Sequence, residues 1–388
     1  MADVKALDIS VFRAPQSAQD NVTSLVFTKV HNLSAEGLAQ PSYVQSEIVD
    51  TDGQAAQFIY DDRELSSTVE TEYKDGTPAR FNRAIHAVES ITNVTGTDIA
   101  TTATGYDSGA SNAFADLTVG DFFWPTGHHD TGLNIAHHIT AKADDNNVTV
   151  AVAPTSVEAA GGSITIYSRK NTSGKTRGYE AFQTRKLNTS LGDNTSHQTL
   201  LNGAINTFGI TMDTGGIIKV SEASLYEKKV DGVAALAGQT DGVADSSASY
   251  SSRINVKGYF VDGVSELCRF KTMDIQIDNG YESDSASGCD SKVLAKGPIT
   301  STMTITSRMA ADDSDKWESR NSDTSYTASF AVLIASNDGA TEVIYAQDNS
   351  KITESKPVIN GKFAEVSLVA SGQRSVNQNT TITSYRNN

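Results

Sequence analysis

The chain reads as a mainly β protein built on antiparallel strands, with one or two short flanking helices and a small inserted β-module. Three observations point there. Apolar and polar residues alternate with a period of two at many places along the chain. Only 38% of the residues are hydrophobic, and Ser, Thr, Asn, Asp and Gly, which suit turns and wet strand faces, fill much of the rest. Apolar stripes at helical spacing are few. With 388 residues the chain can form one large domain or two smaller ones, each with a sizeable core.

Taken in order, the first clear strand is 68–73, where Val69, Thr71 and Tyr73 share one face and Glu70 and Glu72 the other. Thr77 offers a capping hydroxyl before Pro78, and Phe81, Ile85 and Val88 follow as one stripe, which predicts a helix over 78–88. At 147–153, Val148, Val150 and Val152 oppose Thr149, Ala151 and Ala153. At 273–278, Met273, Ile275 and Ile277 oppose Asp274, Gln276 and Asp278. At 302–309, Met303, Ile305 and Met309 oppose Thr302, Thr304, Thr306 and Arg308, and at 363–370 Ala364, Val366, Leu368 and Ala370 share a face. One dry and one wet side is the habit of antiparallel sheets. The run Phe330 to Ala335 is apolar on both faces and predicts a central strand covered twice. Near Asp313 or Ser314 the chain enters either a second short helix or a loop, carrying Trp317.

The organisation is discontinuous. Residues 1–90 and 163–388 read as the main β domain, and 91–162 as an inserted β-module with anchors at Phe114, Leu117, Val119, Phe122, Phe123 and Trp124. Residues 231–252 are low in complexity, with Asp-Gly-Val-Ala at 231–234 and again at 241–244, and read as a long mobile loop. The polar tail, Asn377 to Asn388, reads as a flexible arm.

Chemical motifs are weak throughout. The formal charge is −16, which argues against a broad phosphate-binding surface. The two cysteines, Cys268 and Cys289, form no CxxC pair, so neither a cysteine zinc site nor a disulfide framework is expected. Neither an export signal nor a membrane-spanning run is expected. Asn171 to Thr176 ends like a phosphate loop, but Arg169 stands where the first glycine belongs. His128-His129 and His137-His138 could hold a metal only with one ligand per strand face, so surface histidines in a polar loop are the better reading. Asp50-Thr-Asp-Gly starts like a calcium loop and then loses the spacing at Gln54 and Asp61. Glu70 and Glu72 mimic paired carboxylates, yet a solvated face explains them as well. No Gly-x-Ser-x-Gly elbow occurs. Catalysis is therefore the weaker hypothesis, and no cofactor or metal is called for.

The order of motifs resembles the tail tube proteins of long-tailed bacteriophages. Ser46 to Asp50 (Ser-Glu-Ile-Val-Asp), the strand closing at Val69–Tyr73 and the helix at 78–88 are similar to the opening of that family. Leu117 to Phe122, Gly127 and Gly161 to Ile166 resemble its small β-insert. Gly203 to Met212 with Gly215 to Val220 resembles its central hairpin. Met273 to Asn279, Ile299 to Met309 and the region near Trp317 resemble its closing half, and Pro357 to Gly361 before Ala364–Ala370 its final strand pair. The His-rich stretch at 128–138 and the 231–252 loop depart from the pattern.

The resemblance implies an antiparallel β-sandwich or open barrel of the tail tube type, a non-enzymatic virion subunit. It implies six copies closing a ring and rings stacking into a hollow tube through which DNA leaves. Its partners would be further copies of itself, a tape-measure protein, tail tip or baseplate and terminator proteins. It would be assembled in the host cytoplasm, with no membrane partner. Negative walls would keep DNA phosphates from sticking. Asp274, Asp278, Glu70 and Glu72 are the candidate luminal carboxylates, with solvent on the outer wall as the other destination for that wet face. Asp231, Asp241 and Asp245 mark a candidate inter-ring loop. A surface adhesin or carbohydrate-binding β-sandwich is the alternative, since Ser/Thr-rich strands suit it too.

Overall fold

A computed structural model describes residues 9–18, 21–22, 24–28, 32–36, 43–45, 58–60, 64–186, 196–231, 240–242, 246–285, 292–309, 327–360 and 363–388. The principal elements, in chain order, are β1 (Ile9–Ala18), β2 (Asn32–Glu36), β3 (Ser66–Glu72), α1 (Thr77–Ala84), β4 (Val88–Gly96), β5 (Phe122–Thr126), β6 (His137–Lys142), β7 (Asn147–Val150), β8 (Ile164–Thr172) and β9 (Tyr179–Lys186). They continue with β10 (Ser196–Met212), β11 (Lys219–Leu225), α2 (Ser252–Asn255), β12 (Val256–Val261), β13 (Phe270–Asp278), β14 (Thr300–Arg308), β15 (Ala328–Ala335), β16 (Glu342–Asn360), β17 (Phe363–Gly372) and β18 (Thr383–Arg386). The protein is mainly β, with one large sheet, two short α-helices and no closed barrel among the described residues. Pairing is antiparallel except where Thr240–Gly242 runs parallel to Ser24–Val26.

Two long strands change partners midway and fold the ladder back on itself. The first part of β10 pairs with β9, and its second part lies between β11 and β13. The first half of β16 pairs with β15 and β18, and its second half with β17. One arm therefore runs β2-β3-β11-β10-β13-β14-β17-β16, and the other β12-β15-β16-β18-β8-β4.

The main core forms where the arms face each other. Phe208, Ile275, Met303 and Leu368 from the first arm meet Tyr259, Phe330, Val332 and Tyr345 from the second, with Phe81, Ala84 and Ile85 of α1. The period of two explains β15: Phe330, Val332 and Ile334 enter this core, while Ala331, Leu333 and Ala335 enter a second one with Phe122, Trp124 and Tyr385. Residues 91–162 contribute most of a third cluster, in which Tyr106, Phe114, Leu117, Phe123, Ile139, Val148 and Val150 pack on Ile164 and Ile166 of β8.

Five local expectations change. Helix α1 ends at Ala84; Val88 opens β4 and is 59% exposed. Gly76 is the N-cap, and the Thr77 hydroxyl accepts from the Lys74 amide at 2.9 Å, tying the preceding turn rather than capping the helix. Strand β7 stops at Val150, leaving Val152 52% exposed. The tail is not a free arm: β18 is inserted between β8 and β16, with Ile382 and Tyr385 buried. Its polar residues are satisfied inside the sheet, as where the Ser384 hydroxyl donates to Asn82 Oδ1 at 2.7 Å, so polarity did not mean exposure. In the 231–252 stretch, Tyr250 is buried, donates to Asp75 Oδ1 at 2.5 Å and packs its ring at a tilt against Tyr73, 5.1 Å between centroids. One aromatic anchors a segment whose composition predicted none. The expected helix near Asp313 and Trp317 lies outside the described residues.

Candidate assembly surface

The four carboxylates singled out from alternation lie on one face of one arm. On β13, Met273, Ile275 and Ile277 are buried, and Asp274, Gln276 and Asp278 point the other way. Directly paired residues of antiparallel strands share a face, so the register extends it. Asp274 sits between Thr211 and Thr304, Gln276 between Gly209 and Thr302, and Asp278 between Thr207 and Thr300. Thr211 lies opposite Lys219 and Gly209 opposite Ser221, and these lie opposite Glu72 and Glu70 on β3. One row thus reads Glu72, Lys219, Thr211, Asp274, Thr304, and the next Glu70, Ser221, Gly209, Gln276, Thr302. Three strand spacings, about 14 Å, separate the Glu and Asp columns.

Short side chains make this face smooth. Gln276 lies across Gly209, where an added Cβ would meet its amide nitrogen at 2.7 Å. Asp274 Oδ1 accepts from Thr211 Oγ1 at 2.9 Å and from Gln276 Nε2 at 3.0 Å. Asp278 Oδ1 accepts from the Gly280 amide at 2.8 Å, and Glu72 accepts from the Ser249 hydroxyl. Among the described residues none of Asp274, Asp278 and Glu70 forms an ion pair.

Both ends of this arm are open among the described residues. Strand β2 pairs only with β3, and the second half of β16 only with β17. The β16 edge carries Pro357, which lacks an N–H, and exposed Lys356, features that blunt indiscriminate pairing. Strand β4 is a third open edge, paired among the described residues only with β8. Of the candidate inter-ring residues, Asp231 ends a strand opposite Gln198 and Asp241 pairs with Leu25, while Asp245 lies outside the described residues. Asp50–Gly53 and Cys289 also lie outside them, and Cys268 is exposed.

His137 and His138 split across β6 as period two requires, and two of the four rings, those of His128 and His137, are buried rather than surface groups, with His138 half-buried. His137 Nε2 meets Tyr106 OH at 2.9 Å, and the ring stacks on Phe123 at 5.7 Å. His138 points the other way, against Phe122 at 4.7 Å. His128 Nδ1 lies 2.9 Å from Glu158 Oε2, while His129 is exposed. Burial pushes His137 and His138 down to about 4. Among the described residues no group of three or more His, Cys, Asp or Glu is placed to hold a metal. Asn171 and Thr172 belong to β8, and the Gly174 amide donates to Ile85 O at 3.0 Å, so this stretch cradles no phosphate.

A buried ionic network, invisible to pattern reading, ties α1 to β1, β9 and β11. Arg80 bonds Glu180 Oε2 at 2.7 Å and Glu222, Arg83 bonds Glu180, and Arg13 bonds Glu222 Oε2 at 3.1 Å. Burial alone would raise Glu222, but the Arg80 and Arg13 charges outweigh it and hold the carboxyl down to about 2. The spacing of Arg80 and Arg83 on one helix face was the only available signal. Comparison of the sequence with protein-family models and with curated proteins gave no match.

Proposed function

We propose that this chain is the tube subunit of a long-tailed bacteriophage tail, a structural protein whose copies close rings, six to a ring, that stack into a hollow conduit for DNA. The observation that carries this reading is the acidic, short-chained face of a long antiparallel arm whose two end strands are open among the described residues. An open edge is a row of unpaired donors and acceptors, and head-to-tail pairing around a ring satisfies it while carrying the smooth face inward. The facing arms fit the sandwich expected of such a subunit. Tape-measure, tip and terminator proteins would contact the finished tube, and no membrane is involved.

Electrostatics supports the direction of the face. Six copies carry 6 × −16 = −96 charges, and carboxylates lining a bore repel phosphates that would otherwise bind one after another. Replacing Asp274 and Asp278 with Lys adds 2 × 2 × 6 = 24 positive charges per ring. Negative-stain microscopy of the concentrated native protein should show rings or hollow filaments. A persistent monomer that binds glycans would instead favour an adhesin. The double-Lys variant should still assemble and should slow DNA release in a salt-dependent way; unchanged release would place this face on the outer wall.

A further inference from the structure

We propose that Lys170 and Asp121 condense into an intramolecular isopeptide bond, with Asp348 relaying the proton, so that the residue preceding β5 is stapled covalently to β8. This is independent of tube assembly. Lys170 Nζ lies 2.8 Å from Asp121 Oδ1, and the two side chains are 12% and 0% exposed. An amine at hydrogen-bond distance from one carboxyl oxygen stands about 3–3.5 Å from the carboxyl carbon, the separation of a near-attack arrangement. Phe122, Trp124 and Tyr385, buried together in the second core, shield the surroundings from water.

The other groups at the site have separate roles. Asp121 Oδ2 accepts from the Thr118 amide at 2.7 Å and the Thr118 hydroxyl at 3.1 Å. Two fixed donors on one oxygen are what stabilises the oxyanion of a tetrahedral intermediate. Gln378 Nε2 at 2.7 Å and Tyr385 OH at 3.0 Å hold Oδ1. Gly120, at φ +96°, is what lets Asp348 approach: a Cβ there would meet Asp348 Oδ1 at 2.3 Å. Ser375 Oγ donates to Asp348 Oδ2 at 2.5 Å. Burial, then the nearby Asp121 charge, raises the Asp348 carboxyl above its ordinary value, which suits a group that must both hold and give a proton.

The step balances without any external reagent. In the first step the ammonium proton passes to Asp121 Oδ1, leaving a neutral amine beside a carboxylic acid. The nitrogen lone pair attacks Asp121 Cγ, the C–N bond forms, and the carbonyl pair moves onto Oδ2 under the Thr118 donors. Asp348 takes a proton from the nitrogen and delivers one to the Oδ1 hydroxyl. The carbonyl re-forms, the C–Oδ1 bond breaks, and one water leaves.

The test is the intact mass of the full, denatured chain, followed by proteolytic mapping. The native chain should weigh one water less than its sequence, with the peptides holding Asp121 and Lys170 recovered as one branched species. Lys170→Arg, which keeps the ion pair but cannot make this amide, should have its full sequence mass. Asp348→Asn should have its full mass when freshly purified. A native chain at full mass shows a plain ion pair and overturns the proposal, as does a water loss mapped elsewhere; loss persisting in Asp348→Asn overturns the relay. The native chain's own mass decides even if a variant fails to fold.

Discussion

Lowering the pH from 7 to 5 should destabilise this fold through His86, His137 and His138. Burial holds all three imidazoles down to about 4; for His86 the charges of Lys296, Arg177 and Arg83 add to it. In the unfolded chain each returns to about 6.5. Between these values the unfolded chain binds a proton that the folded chain refuses, so their stabilisation is complete above about 6.5 and is lost as the pH falls. At pH 5 each site lies 1.5 units below its unfolded value, so at about 1.36 kcal/mol per unit each costs about 2 kcal/mol. The three sum to about 6 kcal/mol, less any coupling between adjacent His137 and His138. Glu222, held down to about 2, loses its share only below the ordinary carboxyl range and so does not set this slope. Urea unfolding at pH 7, 6 and 5 measures the slope. His137→Gln should be less stable at pH 7 yet flatten the slope by about a third. A flat native profile, or an unchanged slope in the variant, would refute the account of buried neutral imidazoles.

Three further outcomes follow from packing. Phe330→Ala empties the main core at a fully buried ring and should cost about 3–5 kcal/mol by denaturant unfolding. Arg80→Ala leaves Glu180 and Glu222 short of a shared buried cation and should cost about 3–5 kcal/mol at pH 7 by denaturant unfolding. Deleting 377–388 removes a strand paired on both sides along with Tyr385, so soluble expression should collapse; a flexible arm would have been dispensable.

Strand faces were legible because one-sided burial writes a period of two into the chain. Val69, Ile275 and Ile305 lie where that alternation put them, and the unbroken run Phe330–Ala335 announced a strand buried on both sides. What failed depended on partners distant in sequence. His137 looked like a surface residue until Tyr106 and Phe123 enclosed it. The tail looked free until β8 and β16 bracketed it. Glu222 carries no mark that Arg13 and Arg80 meet it from elsewhere in the chain. Composition averages over a segment, whereas burial is decided residue by residue, which is how Tyr250 escaped notice.

The acidic face itself could not be obtained from charge alone. Glu70 and Glu72 precede Asp274 by some 200 positions, and only the register through β11 and β10 places them on one surface. Their spacing also makes the face tolerable. Like charges directly opposite destabilise a sheet, and opposite charges there contribute about 0.2–1 kcal/mol. Here the Glu and Asp columns are kept apart by two strands of short residues, with Lys219 directly opposite Glu72. Lys219→Glu would set two glutamates opposite each other, so it should cost stability at low salt and regain most of it at high salt, where the Debye length shrinks to a few ångströms. Unfolding midpoints at the two ionic strengths check this. A salt-independent loss would mean that Lys219 acts through packing and that the face is not governed by its charge.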